Sequence, residues 1–313
     1  MPPVEPTLAA LANPLLRYFL ATRPAFLSVT LFAVLIGIGT AYHSGTPLAM
    51  WPAILTVAFA LVAHAGINVL NDYYDDLSGT DRFNTERVFP FTGGSRFIQN
   101  GILTLRETAT FGALLMLTVI FGGLWLTRIA GLGVLLIGAL GMFIGWAYSA
   151  PPLKLNSRGV GEVCVWGGFA LIVIGADYVQ RRGFSALPVI ASACYALLVT
   201  NILYINQFPD RKADEMAGKR HWVVRLGPQR ARWGYFVIAT AGYAWLLGAV
   251  IAGALPLSAM IALLPAVLSY KAGVVLLEHA GWPSRLEPAI KMTIASASAH
   301  GMLLAAAMVV SAR

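Results

Sequence analysis

Apolar residues gather into nine long runs, at roughly 25–42, 51–70, 108–127, 130–147, 161–180, 187–206, 232–253, 255–275 and 289–310. Each approaches the ~20 mainly apolar residues that carry a helix across a bilayer. Polar and charged residues are confined to the connections, and two of these are long: between the second and third runs, and between the sixth and seventh. Connections of that length are usually functional or disordered. The pattern predicts an all-α polytopic membrane protein, a single domain over 1–313 with nine spans and an N-terminal segment, 1–22, ahead of the first. That first run is too long for a secretory signal and lacks a cleavage-type end, so it is expected to persist as a span.

Composition agrees. The chain is 58% hydrophobic and 12% charged, against about 45–50% apolar and about 25% charged in ordinary soluble domains. A soluble enzyme, a disordered chain and a disulfide scaffold are excluded. Cys164 and Cys194 both lie inside apolar runs and are expected to be buried small hydrophobes. The net charge of +8 is a topology signal rather than a sign of nucleic acid, which is not expected as a partner. Eighteen of the 22 Lys and Arg fall on the side of the N-terminus and of the 2–3, 4–5, 6–7 and 8–9 loops. Only Arg128, Arg181, Arg182 and Arg313 fall on the other. By the positive-inside rule the rich side is cytoplasmic, which predicts a multi-pass protein of the cell (inner) membrane.

Acidic residues are clustered as well. Of 14 Asp and Glu, five lie between Asp72 and Glu86 and three between Asp210 and Glu215. Both groups begin where an apolar run reaches the cytoplasmic face. Asn68, Asp72 and Asp76 stand at i, i+4 and i+8, and Asn206, Asp210 and Asp214 repeat the spacing, which places each set on one helical face. Carboxylates four residues apart repel unless a cation offsets them. Hard divalent cations take oxygen ligands, and Mg²⁺ is commonly held by one or two carboxylates plus substrate phosphates. Two such clusters facing each other would hold a diphosphate between two metal ions.

A diphosphate also needs cations from the protein. Arg87, Arg96, Lys154, Arg158, Lys219 and Arg220 lie in the same loops, with Lys154 and Arg96 foremost, although topology alone accounts for basic residues there. Gly93-Gly94-Ser95-Arg96 could present backbone N–H groups to phosphate, or be a surface turn. Pro151 and Pro152 end the fourth span sharply and hold Tyr148 and Lys154 near the membrane surface, where Tyr148 could equally be an interfacial belt residue. His64, one turn before Asn68, is expected to be a packed core histidine.

These motifs resemble those of the UbiA-type intramembrane aromatic prenyltransferases, from about Arg23 to Gly227. Asn68, Asp72 and Asp76, and Asn206, Asp210 and Asp214, are similar to that family's two Asp-rich diphosphate–Mg²⁺ motifs, and Tyr148-Ser-Ala-Pro-Pro-Leu-Lys154 to its loop between the fourth and fifth helices. Arg23-Pro24, Asn71-Asp72-Tyr-Tyr-Asp75, Arg158-Gly159-Val-Gly161-Glu162 and Gly218-Lys219-Arg220 resemble the 1,4-dihydroxy-2-naphthoate (menaquinone-pathway) branch. The segment Arg82–Ser95 departs from that branch, and Pro209, directly before Asp210, is expected to distort the second triad.

The resemblance implies a nine-helix bundle around a central cavity, its mouth cytoplasmic under a cap made of the 2–3 and 6–7 loops. The substrates would be a polyprenyl diphosphate, its tail along apolar walls and open to membrane lipid, and an aromatic acceptor. Two Mg²⁺, held by Asp72, Asp75 or Asp76, Asp210 and Asp214, would neutralise the diphosphate while the allylic C–O bond ionises and the acceptor ring attacks. Spacing favours Asp76 as a ligand; the resemblance marks Asp75. Asn68 and Asn206 would ligate metal or orient the carboxylates, Tyr148 would sit near the allylic cation, and Asp81 would touch the acceptor or a loop arginine. The implied acceptor is 1,4-dihydroxy-2-naphthoate; 4-hydroxybenzoate, a chlorophyll-type ring, haem and a glycerol ether lipid are the alternatives within the family. An alternating-access transporter is the reading from another class, but both acidic clusters fall on one membrane face, which favours a surface-opening catalytic site. The glycine-interleaved motif of CDP-alcohol phosphotransferases is absent.

Overall fold

The computed structural model describes residues 5–312. Arg313, assigned above to the sparsely basic face, lies outside the described residues. Among these residues twelve α-helices follow in chain order: α1 (Pro14–Ala21), α2 (Leu27–His43), α3 (Met50–Ser78), α4 (Thr80–Phe83), α5 (Leu105–Ala130), α6 (Gly133–Ser149), α7 (Gly161–Arg181), α8 (Ala186–Met216), α9 (Trp222–Leu226), α10 (Pro228–Ile251), α11 (Ala266–His279) and α12 (Glu287–Val310). Among the described residues there is no strand.

All nine apolar runs are helical. Among the described residues eight helices are long and apolar enough to cross a membrane, counting the 3₁₀ turns Pro24–Phe26 with α2 and Leu257–Leu263 with α11. The ninth, α6, has 17 residues, about 25 Å at 1.5 Å per residue, short of the ~30 Å hydrocarbon core. Its ends are set by neighbours: the Tyr178 hydroxyl accepts from the Gly133 amide at 3.2 Å, and Pro151-Pro152 follow Ala150. Local chemistry starts other helices. Thr104 and Glu107 form a reciprocal capping box on α5 (2.7 and 3.1 Å), and the Ser185 hydroxyl caps α8 through the Leu187 amide.

Two helices outrun their apolar stretches. α3 continues to Ser78 and α8 to Met216, so both acidic motifs stand on unbroken helix. The expected distortion at Pro209 is therefore corrected: Pro209 lies buried inside α8, and helix continues through Asp210 and Asp214. Only the Ile205 carbonyl loses its i+4 donor, a loss that a helix packed on its neighbours tolerates.

The bundle is solid on one side and hollow on the other. α2, α8, α10, α11 and α12 enclose a continuous core that includes Val29, Ile36, Tyr195, Ile205, Tyr235, Leu246, Leu276, Ile290 and Leu304. Buried polar atoms there bond to backbone across helices: Tyr204 Oη to Ala231 O at 2.7 Å, Asn201 Nδ2 to Tyr235 O at 3.0 Å. At the membrane end of α7 away from the acidic motifs, Asp177 accepts from both Arg181 Nε and Nη2 at 2.8 Å and from Thr40 Oγ1 at 2.9 Å. This network ties α7 to α2. The hollow half lies between α3, α5, α6 and α7.

Candidate active site

A cavity of about 440 Å³ fills the hollow half. On α3 its lining includes Ala60, His64 and Asn68 in one row of four-residue steps and Ala63, Ile67, Asn71 and Asp75 in the row beside it. That stripe carries Asn71 and Asp75 to the mouth and turns Asp72 and Asp76 one residue, about 100°, away from it. Asp72 is buried under the cap, where its Oδ2 accepts from the Ser95 amide at 3.1 Å and its Oδ1 lies 3.8 Å from Arg23 Nη1. Asp76 Oδ1 accepts from Gln99 Nε2 at 3.1 Å and lies outside the lining. Asn71 Nδ2 donates to Asp75 Oδ2 (3.2 Å) and to Ser149 Oγ (3.0 Å), fixing the carboxylate against the end of α6. Asn68 lines the cavity and donates to the Thr22 carbonyl at 2.9 Å.

From α8, Asn206, Gln207, Asp210 and Asp214 reach the same mouth. Lys219 joins the two motifs: its Nζ is 2.8 Å from Asp75 Oδ1 and 3.2 Å from Asp214 Oδ1. Burial would lower the Lys219 pKa, but Asp214 and Asp75 outweigh it and hold it well above its ordinary value. His221 Nε2 bonds Asp214 Oδ2 at 3.0 Å. Burial, and then the Asp75 and Asp72 carboxylates, push Asp81 well above the usual carboxylate range.

The 2–3 connection closes over this mouth. Gly93 and Gly94 have φ of +74° and +72°, and a Cβ on Gly94 would strike the Asp81 carboxylate and come within 3.2 Å of Asp72 Oδ1. Glycine is required there on both counts. The turn's Ser95 amide is spent on Asp72. Asn84, 2% exposed, donates to Asp210 Oδ1 at 2.5 Å, so the atypical segment Arg82–Ser95 reaches the second acidic motif directly. Arg87 bonds Glu5 and the Asn84 carbonyl. Arg96 is buried, with Nη1 on the Asp81 carbonyl and Nε 3.8 Å from Glu5.

The structure thus brings together Asn68, Asp75, Asn206, Asp210, Asp214, Tyr148 and Lys219 in one lining. Arg87, Arg96, Lys154 and Arg158 stand outside it: the first two serve the cap, Lys154 is exposed, and Arg158 is exposed with Nη2 on the Pro152 carbonyl at 2.8 Å. His64 lines the cavity rather than a packed core, its Nδ1 2.6 Å from Thr30 Oγ1. Arg23, Asn71, Asn84, Asn156 and His221 belong to the mouth or its cap and were not singled out above as site residues. For Asn71 the one signal in the sequence was its four-residue step to Asp75.

The donor set suits a hard cation. Buried oxygens of Asp81 (Oδ2), Asn206 (Oδ1) and Gln207 (Oε1) have no hydrogen-bond partner among the described residues, and neither do Arg23 Nε and His221 Nδ1; the free oxygens are what a hard cation takes. Among those residues no three Asp, Glu, His or Cys side chains converge to ligand distance. One or two carboxylates plus substrate oxygens per ion is the arrangement Mg²⁺ favours.

An all-helical membrane bundle with a deep apolar cavity, closed at one end by paired carboxylates and a lysine, defines a class of intramembrane enzyme that handles amphiphiles with a charged head. The model of the UbiA prenyltransferase family matches residues 30–297, and the chain belongs to that family: it is a prenyltransferase. The 1,4-dihydroxy-2-naphthoate octaprenyltransferase of Escherichia coli (strain K12) is 30% identical over 220 residues, 67% of this chain and 68% of that protein. The Mycobacterium tuberculosis (strain ATCC 25618 / H37Rv) protein of the same name is 28% identical over 70% of this chain and 73% of its own. Among solved structures, a UbiA homolog from Archaeoglobus fulgidus bound to DMAPP and Mg²⁺ shares the fold, with a TM-score of 0.60, 15% identity, and coverage of 93% of this chain and 99% of that one.

Proposed function

We propose that the protein transfers a polyprenyl group from its diphosphate to 1,4-dihydroxy-2-naphthoate, with the mouth of the cavity cytoplasmic. The observation that carries the reading is a single cavity that is polar and acidic at one end and apolar along the rest of its length. A diphosphate head fits the first and a hydrocarbon tail the second. Two relatives named as 1,4-dihydroxy-2-naphthoate octaprenyltransferases support the acceptor, and the Mg²⁺ and DMAPP of the Archaeoglobus homolog support the donor class and the metal.

Asp75, Asp210 and Asp214 would hold two magnesium ions, which supply positive charge to the departing diphosphate. Asn71 and Asn84 orient Asp75 and Asp210 through the hydrogen bonds described above. Lys219, held charged between Asp75 and Asp214, is placed to pass from carboxylate to phosphate as the head group enters. Arg23 lines the same mouth and offers a second fixed cation. As the allylic C–O bond breaks, its electron pair leaves with the diphosphate; the acceptor ring supplies the pair for the new C–C bond and regains aromaticity by releasing what the attacked carbon carried, a proton or, from a carboxylate-bearing carbon, CO₂. Tyr148 presents an aromatic face to the developing carbocation, and the cap excludes water that would otherwise capture it.

The test is transfer by purified protein in nanodiscs, with Mg²⁺ and a radiolabelled polyprenyl diphosphate, offering 1,4-dihydroxy-2-naphthoate and 4-hydroxybenzoate in parallel and an EDTA control. Prenylated naphthoate, lost with EDTA, is expected. Prenylation of the benzoate alone would replace the acceptor.

A further inference from the structure

Several helical glycines line the cavity wall, and four of them have open space beside them: Gly123 on α5, Gly138 and Gly141 on α6, and Gly168 on α7. A Cβ built on any of them meets no heavy atom within 4 Å. Three other helical glycines have a neighbour that requires them: Gly122 lies against the Phe59 ring, Gly133 against Tyr178 and Gly273 against Phe236. Close packing explains those three. It does not explain the lining four. Glycine inside a helix destabilises it relative to alanine, and at these positions no protein atom uses the space.

What uses the space must therefore enter the cavity, and the mouth indicates its orientation. Asp81 lines that end, 2% exposed, with Oδ2 unpartnered, beside Asp75, Asp214 and Lys219. A charged head with its cations stays there, and its apolar remainder extends past the glycines. On α3 the lining continues from Asp75 to Thr56, about 28 Å of helix at 1.5 Å per residue, which is close to the ~30 Å hydrocarbon thickness. We propose that Gly138, Gly141 and Gly168 determine the length of prenyl chain this enzyme accepts, by leaving the tail channel open along α6 and α7. The inference rests on the assignment of the mouth to a prenyl diphosphate.

Binding tests it with two probes. Purified protein in nanodiscs with Mg²⁺ is loaded with radiolabelled geranyl diphosphate, which is displaced by unlabelled geranyl or octaprenyl diphosphate. Added side chains in Gly141→Leu and Gly168→Leu fill space that the long tail needs, and overfilled sites repel their contents. The octaprenyl affinity is expected to fall at least about tenfold, or about 1.4 kcal/mol, with geranyl affinity kept within about twofold. Gly248→Leu is the control, since Gly248 on α10 also meets nothing within 4 Å but lies outside the lining; its ratio should match the wild type. Should the leucine variants fail to fold, Gly141→Ala and Gly168→Ala strengthen their helices and should shift the ratio by less, in the same direction. An unchanged ratio in every variant, or equal losses for both probes, overturns the proposal. Wild-type protein that binds neither probe overturns the prenyl-diphosphate assignment itself, and the inference with it.

Discussion

Asp75 and Asp76 are neighbours in sequence with opposite surroundings, and that difference can be measured. Asp75 lines the cavity, braced by Asn71 and paired with Lys219; Asp76 holds Gln99 of the cap at 3.1 Å. Removing a group aimed at charge that develops in the reaction costs about 10²–10³ in kcat, whereas a single peripheral hydrogen bond is worth about 1 kcal/mol of stability. Asp75→Ala is expected to lower transfer at least about a hundredfold, and Asp76→Ala to leave it within about fivefold, with both variants folded by size-exclusion chromatography. Equal losses would remove the distinction. The clustering of acids was legible in the sequence; which of the two adjacent carboxylates faces inward was not. A four-residue step selects a face only relative to the rest of its helix, and the phase follows from Ala60, Ala63, His64, Ile67 and Asn71, whose inward face is a property of packing. Lys219 shows the same limit. It was one of several loop cations, and only the fold shows that it, and not Lys154 or Arg158, reaches the carboxylates.

At the scale of elements, α3 and α8 run past the hydrocarbon because the cap gives their charged ends partners. The apolar runs were legible as helices, since a spanning segment must satisfy its own backbone. Their extension through acidic turns was not, because it depends on contacts from residues distant in sequence. Two of the ties that hold the cap differ in strength. Glu5 meets Arg87, Arg96 and Asn100 in a partly exposed cluster, and exposed pairs contribute about 0.2–1 kcal/mol. Asn84 satisfies the Asp210 carboxylate from a buried position, and leaving such a group unpartnered costs about 1–3 kcal/mol. Amide hydrogen exchange across 84–96 should therefore rise by no more than about fivefold in Glu5→Gln and by tenfold or more in Asn84→Ala. The pH dependence separates them further. Burial would raise the Glu5 pKa, but hydrogen bonds from Arg87 and Asn100 outweigh it and hold it below the ordinary 4.5. Its stabilising contribution is thus present above that value and lost as pH falls through the lowered one. Wild-type protection across 84–96, taken relative to the intrinsic exchange rate at each pH, should fall in acid below about pH 4.5, and Glu5→Gln should lose that component. Equal protection in both variants would mean that the cap is held by its own packing.

For the molecule as a whole, hydropathy cannot separate an apolar side chain that faces lipid from one that faces an apolar cavity, so the solid and hollow halves were invisible in the chain. Orientation is different, because it depends on charge counts outside the membrane. In the structure Lys154 belongs to the acidic, capped end, following α6. Arg182 follows α7 at the opposite end, next to the Asp177–Arg181 network. Both are exposed or half-exposed, and both have positive φ (42° and 60°) in turns rather than spans. Cys164 and Cys194 are buried and unpaired, so a cysteine-light background is available through Cys164→Ala and Cys194→Ala. In that background a membrane-impermeant maleimide should label Lys154→Cys in inside-out vesicles only and Arg182→Cys in right-side-out vesicles only. The reverse pattern would put the mouth on the far side of the membrane. It would mean that the excess of Lys and Arg around the mouth serves the diphosphate rather than the topology, since attraction of an anionic substrate concentrates basic residues at a cavity entrance as effectively as the insertion rule does.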